Sequence, residues 1–252
     1  MVAAGLDTWL AVFARVAPVV ALHPVFGGRA TPTVVKASVA AALATALWAN
    51  GSAASQVRVG MTSILSEAAI GLAVAVVGIA VFGAIEAAGR LVDDSRGANS
   101  ARLFAPQLES ATSPLGALDA TAALALFWAV GHHAILLGAL SASFESVPVG
   151  GWPAGPLSDR EALLALTIEM VGSLARAGLA MAGPAAAATV TVDGVLGLIG
   201  RTSPQANVFS MSMPLKLAAA LAVSALSMPG RAVQWGEVWA LHDSWIRSMV
   251  GG

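Results

Sequence analysis

Apolar positions along the chain gather into six stretches, at roughly residues 2–23, 33–50, 62–91, 115–143, 161–192 and 208–230. The clearest, Ala68–Ile85, carries no charge. At 1.5 Å per helical residue it is about 27 Å long, just enough to cross a hydrocarbon core. The pattern therefore predicts about six hydrophobic helical segments, some broken, and an all-α fold. The stretch Ala120–Phe144 contains His132 and His133. The fifth stretch carries Glu169, Arg176 and Pro184, and a proline there predicts a kink or a break. Two connections are long: residues 86–119, EAAGRLVDDSRGANSARLFAPQLESATSPLGALD, and residues 145–160, ESVPVGGWPAGPLSDR. Between the last two stretches lies RTSPQANVFSMSMPLK, residues 201–216, which reads as a polar hairpin.

Composition turns this pattern into a membrane assignment. The chain is 57% hydrophobic and only 11% charged, with a mean hydropathy of +0.79. Soluble domains carry about 25% charged residues. So little charge cannot coat a soluble globule of 252 residues, and an integral membrane protein follows, read as one domain over residues 1–252. The net charge of −1 gives no footprint for nucleic acid. The absence of cysteine excludes disulfides, thiolate metal sites and cysteine nucleophiles. The start, MVAAGLDTWLAVFARVAPVV, has an acid where a leader wants a base and reads as the first mature helix. Lys and Arg divide roughly seven against five between the two sides, too evenly to orient the chain. Arg15, Glu169, Arg176 and Lys216 lie in or against apolar stretches, so they pair with neighbouring helices, reach the interface, or face a wet interior or partner subunits. Abundant Ala and Gly, as in AALATAL and GPAAAATVTV, favour close helix packing inside a larger assembly.

Candidate chemistry is sparse. His132 and His133 are adjacent and point about 100° apart on a helix, unlike the i, i+4 pair of a zinc site. Glu145 lies about three turns further on, so a structural or interfacial role is the better reading. Asp93–Asp94 with Arg96 and Gly97 reads as a helix end with local charge pairing. There is no GxSxG, P-loop or dinucleotide fingerprint. Neither enzymatic activity nor a cofactor is expected.

Several motifs, taken in order, carry a resemblance. Arg201, Pro204, Gln205, Asn207, Phe209, Pro214 and Lys216, preceded by Asp193 and LGLIG, look like the late signature of the type III secretion export-apparatus family. That family comprises the injectisome SctT and flagellar FliR subunits. RVAPVVALHPVFGGRATPTVVK, residues 15–36, is similar to its opening helix, Pro-bearing turn and second helix. AGRLVDDSRGANSA resembles the end of its third helix, and GHHAILLGALSASFESVPVG its Gly-His helix. Asp94 with Arg96–Gly97, and SPLG at 113–116, look closer to the injectisome branch than to the flagellar one.

The resemblance implies an export-gate subunit in the bacterial inner membrane, multi-pass by sequence and partly raised toward the periplasm. Its implied partners are two other small hydrophobic subunit types (SctR/FliP-like and SctS/FliQ-like), the large export-gate subunit and the switch protein. Unfolded secreted proteins are the implied substrates, and membrane lipid surrounds the assembly. By the same resemblance the loop after the third helix acts as a channel plug. It maps here to Leu103–Leu115, with Leu103, Phe104, Pro106, Leu108, Ser113, Pro114 and Leu115 as its residues. Asp94, Arg96, Gly97 and the late-signature residues are expected to contact other subunits or to hold the chain in shape. Asp193 and Arg201 either pair or cap their helices. A secondary transporter would also explain intramembrane charge, but no inverted repeat or substrate-like polar cluster is visible. An intramembrane enzyme would need convergent catalytic groups that the sequence does not show.

Overall fold

The computed structural model describes residues 2–28, 31–50, 60–97, 113–151, 157–203 and 207–250. The described residues form seven α-helices and one 3-10 turn. In chain order these are α1 (Val2–Leu22), the turn Pro24–Phe26, α2 (Thr33–Ala49), α3 (Met61–Ser95), α4 (Pro114–Ala129), α5 (His132–Ser146), α6 (Arg160–Thr202) and α7 (Val208–Val250). Among the described residues four helices are long and apolar enough to cross a membrane, or five spans if α4 and α5 together make one. The chain is an all-α, multi-pass membrane protein.

Three boundaries differ from the apolar pattern. The fourth stretch divides into α4 and α5, bent by 74°, because Gly131 takes a left-handed φ of 80° that a residue without Cβ adopts cheaply. The fifth is not broken: α6 runs 43 residues with Pro184 inside it. The sixth does not stop near 230, since α7 also runs 43 residues, through Pro214 and Pro229. The polar hairpin shrinks accordingly to the connection between Thr202 and Val208.

The fold divides into two compact units. The first comprises residues 1–81, 124–172 and 239–252, and the second residues 82–123 and 173–238. Each unit gathers separated stretches of chain, so neither corresponds to a continuous sequence domain.

In the first unit α1 buries Thr8, Ala11, Val12, Arg15, Val16, Val19 and Val20, and His23 just past its end continues the row. That i, i+3, i+4 stripe is the inward face of a helix. On α3 the corresponding stripe is Glu67, Ile70, Val74, Val77 and Val81, continued in the second unit by Ile85, Ala88 and Val92. Gly71 lets α1 approach, because a Cβ there would stand 2.0 Å from the Arg15 carbonyl oxygen. Lys36 of α2 donates to the Ala21 carbonyl at 2.8 Å and also to Gly28, which satisfies an end-of-helix acceptor of α1.

Candidate functional site

The second unit holds the described residues that flank 98–112, among them Ser113, Pro114 and Leu115 of the segment expected to form the plug. The third helix ends at Ser95, and Gly97 follows with φ 80° and donates to the Asp94 carbonyl at 3.1 Å. On the last turn of α3, Asp93 is 2% exposed. One of its oxygens pairs with Arg96, at 2.5 Å from Nη2 and 2.7 Å from Nε. The other accepts from the Ser113 hydroxyl and from the Leu115 N–H at 2.9 Å. Ser113 Oγ in turn accepts from the Gly116 N–H at 2.9 Å. One carboxylate thus engages residues on both sides of 98–112 and also supplies the first turn of α4 with an acceptor it lacks internally.

Close approach of α3 and α4 makes this reach possible. A Cβ on Gly89 would lie 2.6 Å from the Gly116 Cα and 2.7 Å from Asp119 Oδ2. Asp119, fully buried, forms an ion pair with Arg231 of α7. That pair is incompletely satisfied: Asp119 Oδ1 and Arg231 Nε are buried without a hydrogen-bond partner.

The late signature is placed as follows. Asp193 pairs with Lys216 at 2.6 Å, with the two side chains 49% and 19% exposed. Lys216, not Arg201, is therefore the partner of Asp193. Arg201 is exposed in the last turn of α6, where a cation complements the helix C-terminus. Asn207 caps α7, its side-chain oxygen accepting from the Ser210 N–H at 3.2 Å. Pro214 sits exposed inside α7. Pro204 and Gln205 lie outside the described residues, as do Leu103, Phe104, Pro106 and Leu108; the side chain of Phe209 does too. Of the remaining expected residues, Asp94 is exposed, Arg96 and Gly97 are half-buried, Pro114 is exposed and Leu115 is buried.

The first unit contains a feature that the motif reading did not assemble. Arg15 and Glu67 are completely buried and bonded at 2.6 Å. Arg15 Nη1 donates to the Ser143 carbonyl at 2.7 Å and to its hydroxyl at 3.1 Å. Its Nη2 donates to the Val147 carbonyl at 2.8 Å, and the guanidinium lies 4.1 Å from the Phe144 ring centroid. The second Glu67 oxygen accepts from the Gly150 N–H at 2.9 Å. Arg15 is thereby an external cap for the C-terminal carbonyls of α5, compensated by a carboxylate from α3. A clue was present: Arg15 is the only base in α1, and Glu67 the only charge between residues 61 and 85.

Gly131, His132 and His133 occupy the corner between α4 and α5. His132 lies 5.4 Å from the Phe127 ring and 5.2 Å from the Trp239 ring, and His133 stacks on Trp128 at 4.5 Å. Both histidines are thus packed among aromatic rings.

The outward faces are apolar. Half of the most apolar window of α3 is buried, against 11% for those of α6 and α7. Leu164, Ile168, Val171, Leu179, Val190 and Leu198 of α6 are each more than half exposed.

An all-α membrane chain with so much uncovered apolar helix, and with its few buried charges bonded within the fold, fits a subunit built for assembly. The chain belongs to the bacterial export proteins, family 1, whose model matches residues 6–241. It is 26% identical to flagellar biosynthetic protein FliR of Bacillus subtilis over 245 residues, covering 96% of this chain and 94% of that protein. It is 34% identical to Yop proteins translocation protein T of Yersinia pestis over 161 residues, 64% of this chain and 60% of that protein. It is 30% identical to secretion system apparatus protein SsaT of Salmonella typhimurium over 185 residues, 73% of this chain and 66% of that protein.

Proposed function

We propose that the chain is an export-gate subunit of a type III protein secretion system in the bacterial inner membrane. In that role it forms part of the channel through which unfolded proteins leave the cell. It performs no catalysis. Family membership carries the reading, and the length of the exposed apolar surface supports it physically. Exposed large apolar residues on α6 run from Leu164 to Ile199, about 52 Å at 1.5 Å per residue. A hydrocarbon core is only about 30 Å thick, and a tilt of about 40° still leaves about 40 Å to cover. The excess calls for protein neighbours, consistent with partners of the SctR/FliP and SctS/FliQ types and with a position raised from the membrane plane. The large export-gate subunit and the switch protein would bind outside that core.

Within this role the segment Leu103–Leu115 acts as the plug, fastened by Asp93 at Ser113 and Leu115. A pore that passes an unfolded chain yet retains ions needs a constriction that can move aside, and a segment fastened by a few polar bonds meets that need. Deleting Phe104–Ser113 should leave assembly intact and let small ions leak. An unchanged leak would remove the plug role while leaving the subunit role standing. The injectisome branch is favoured by the higher identity to translocation protein T, the flagellar branch by the near full-length match to FliR. The identity of the copurifying subunits decides between them.

A further inference from the structure

One polar row in the first unit is used by none of the roles above. His23, just past the end of α1, and His242 of α7 are 0% and 1% exposed, and their Nε2 atoms lie 3.2 Å apart. The Nδ1 of His23 accepts the Val25 N–H at 3.3 Å, within the 3-10 turn that follows α1. An imidazole nitrogen that accepts carries no proton, so neutral His23 holds its proton on Nε2. His242 Nε2 must then be the acceptor, which places the His242 proton on Nδ1. That Nδ1 lies 3.0 Å from Asp243 Oδ1, a ready acceptor. The other Asp243 oxygen stands 3.8 Å from His132 Nε2.

The direction of the row is therefore fixed: backbone N–H to His23, His23 to His242, His242 to Asp243. The two histidines are opposite tautomers, and both ring acceptors are occupied. A proton added to His23 sets two N–H groups face to face at Val25, and one added to His242 does the same between the rings. Nor can the row conduct, because the Val25 amide cannot replace a proton passed on by His23.

We propose that the His23–His242 contact is an acid-sensitive latch, closed when both rings are neutral, that fastens the Pro24–Phe26 turn to the last turns of α7. Burial, and secondarily His242, pushes the His23 pKa from 6.5 down to about 3. A depressed histidine pKa makes its contribution complete above 6.5 and lost progressively as the pH falls toward 3. Below 6.5 the open population then rises about tenfold per pH unit as His23 titrates. The neighbouring elements bring few other charges. His132 of α5 and Asp243 of α7 stand at the far end of the row, and Lys36 of α2 is engaged by the Ala21 and Gly28 carbonyls. From α3 Gly78 meets the His23 ring, so closely that a Cβ would lie 2.1 Å from it.

The chain has no cysteine, so one introduced thiol reports on the turn without interference. Val25→Cys, buried at 4% exposure, is labelled with maleimide in the full chain within its purified complex. Its rate is divided by that of Val34→Cys, which is 75% exposed, to remove the chemistry of the thiol itself. Between about pH 7.5 and about pH 5.5 the normalised rate should rise about tenfold. His242→Leu should make it fast at both values. A flat normalised rate in the otherwise native chain overturns the latch. Nitrogen NMR of labelled histidines provides a test that needs no substitution. Near pH 8 the latch requires His23 protonated on Nε2 and His242 on Nδ1, and a shared tautomer or a charged ring at that pH overturns it.

Discussion

Replacing Asp93 by alanine removes one buried carboxylate and with it the acceptor for Arg96, Ser113 and Leu115. These three losses are unequal. Arg96 keeps 12% of its side chain exposed and can turn to water, so its pairing contributes little. The Ser113 hydroxyl can rotate toward another acceptor. The Leu115 N–H cannot: the residue is 7% exposed, and a buried donor left without a partner costs about 1–3 kcal/mol. With a smaller share for Ser113, the start of α4 should loosen by about 2–4 kcal/mol. At about 1.4 kcal/mol per factor of ten, the lower figure already gives a fall of about 30-fold in protection. Hydrogen exchange of the assembled complex, followed on a peptide covering residues 113–117, reads this directly. Asp93→Asn keeps one carbonyl acceptor and should fall between the native chain and Asp93→Ala. Asp94→Ala, at an exposed site, should change protection by less than about 0.5 kcal/mol. If the Asp93→Ala complex assembles with Leu115 protected as before, the clasp has no energetic weight and the reasoning fails.

Other substitutions test the scaffold. Arg15→Met or Glu67→Gln alone should cost about 3–5 kcal/mol by leaving a buried charge uncompensated, and should sharply reduce the recovery of folded chain. The double variant Arg15→Met, Glu67→Met should recover only in part, since the Ser143 and Val147 carbonyls and the Gly150 N–H remain without partners; thermal stability in detergent reads both effects. Gly71→Ala should destabilise by at least about 1 kcal/mol through its clash with the α1 backbone. Gly83→Ala, with no neighbour within 4 Å, should instead stabilise the helix by up to about 1 kcal/mol, as the same melting experiment would show. Lys216→Ala removes a pair of about 1 kcal/mol or less, so the chain should fold. Arg201→Ala should behave likewise. The yield of assembled complex should fall more than ion conductance changes if this region faces partners, and wild-type assembly would refute that placement.

The apolar stretches located most of the helices, yet they concealed which faces are inward. On α3 the outward residues Leu72, Val76 and Ile79 are as apolar as the buried Val74, Val77 and Val81. In a membrane protein side-chain size and glycine placement distinguish the faces more than polarity does. The corner at Gly131 was visible only as one glycine in a long apolar run. The second half of α7 was missed because PGRAVQWGEVWALHD reads as a helix end in a soluble setting. Yet Trp235, Trp239, His242, Trp245, Ile246 and Met249 recur at helical spacing and are all buried. Asp93 and Asp94 differ by about 100° of helix rotation. The motif selected Asp94, whereas the phase of Ile85, Ala88 and Val92 turns Asp93 inward. Lys216 lies far from Asp193 in sequence, and only the antiparallel return of α7 brings them together. A local reading offers Asp193 only a pairing with Arg201 or a helix-capping role.

The central claim is that this chain is one subunit of an export gate. The most direct test is the native mass and composition of the tagged protein, extracted gently from membranes that also express its neighbouring genes. The account predicts a defined complex holding one copy of this chain and several copies of two small hydrophobic partners. A monomer or homodimer that remains alone, under conditions that preserve other membrane complexes, would contradict it.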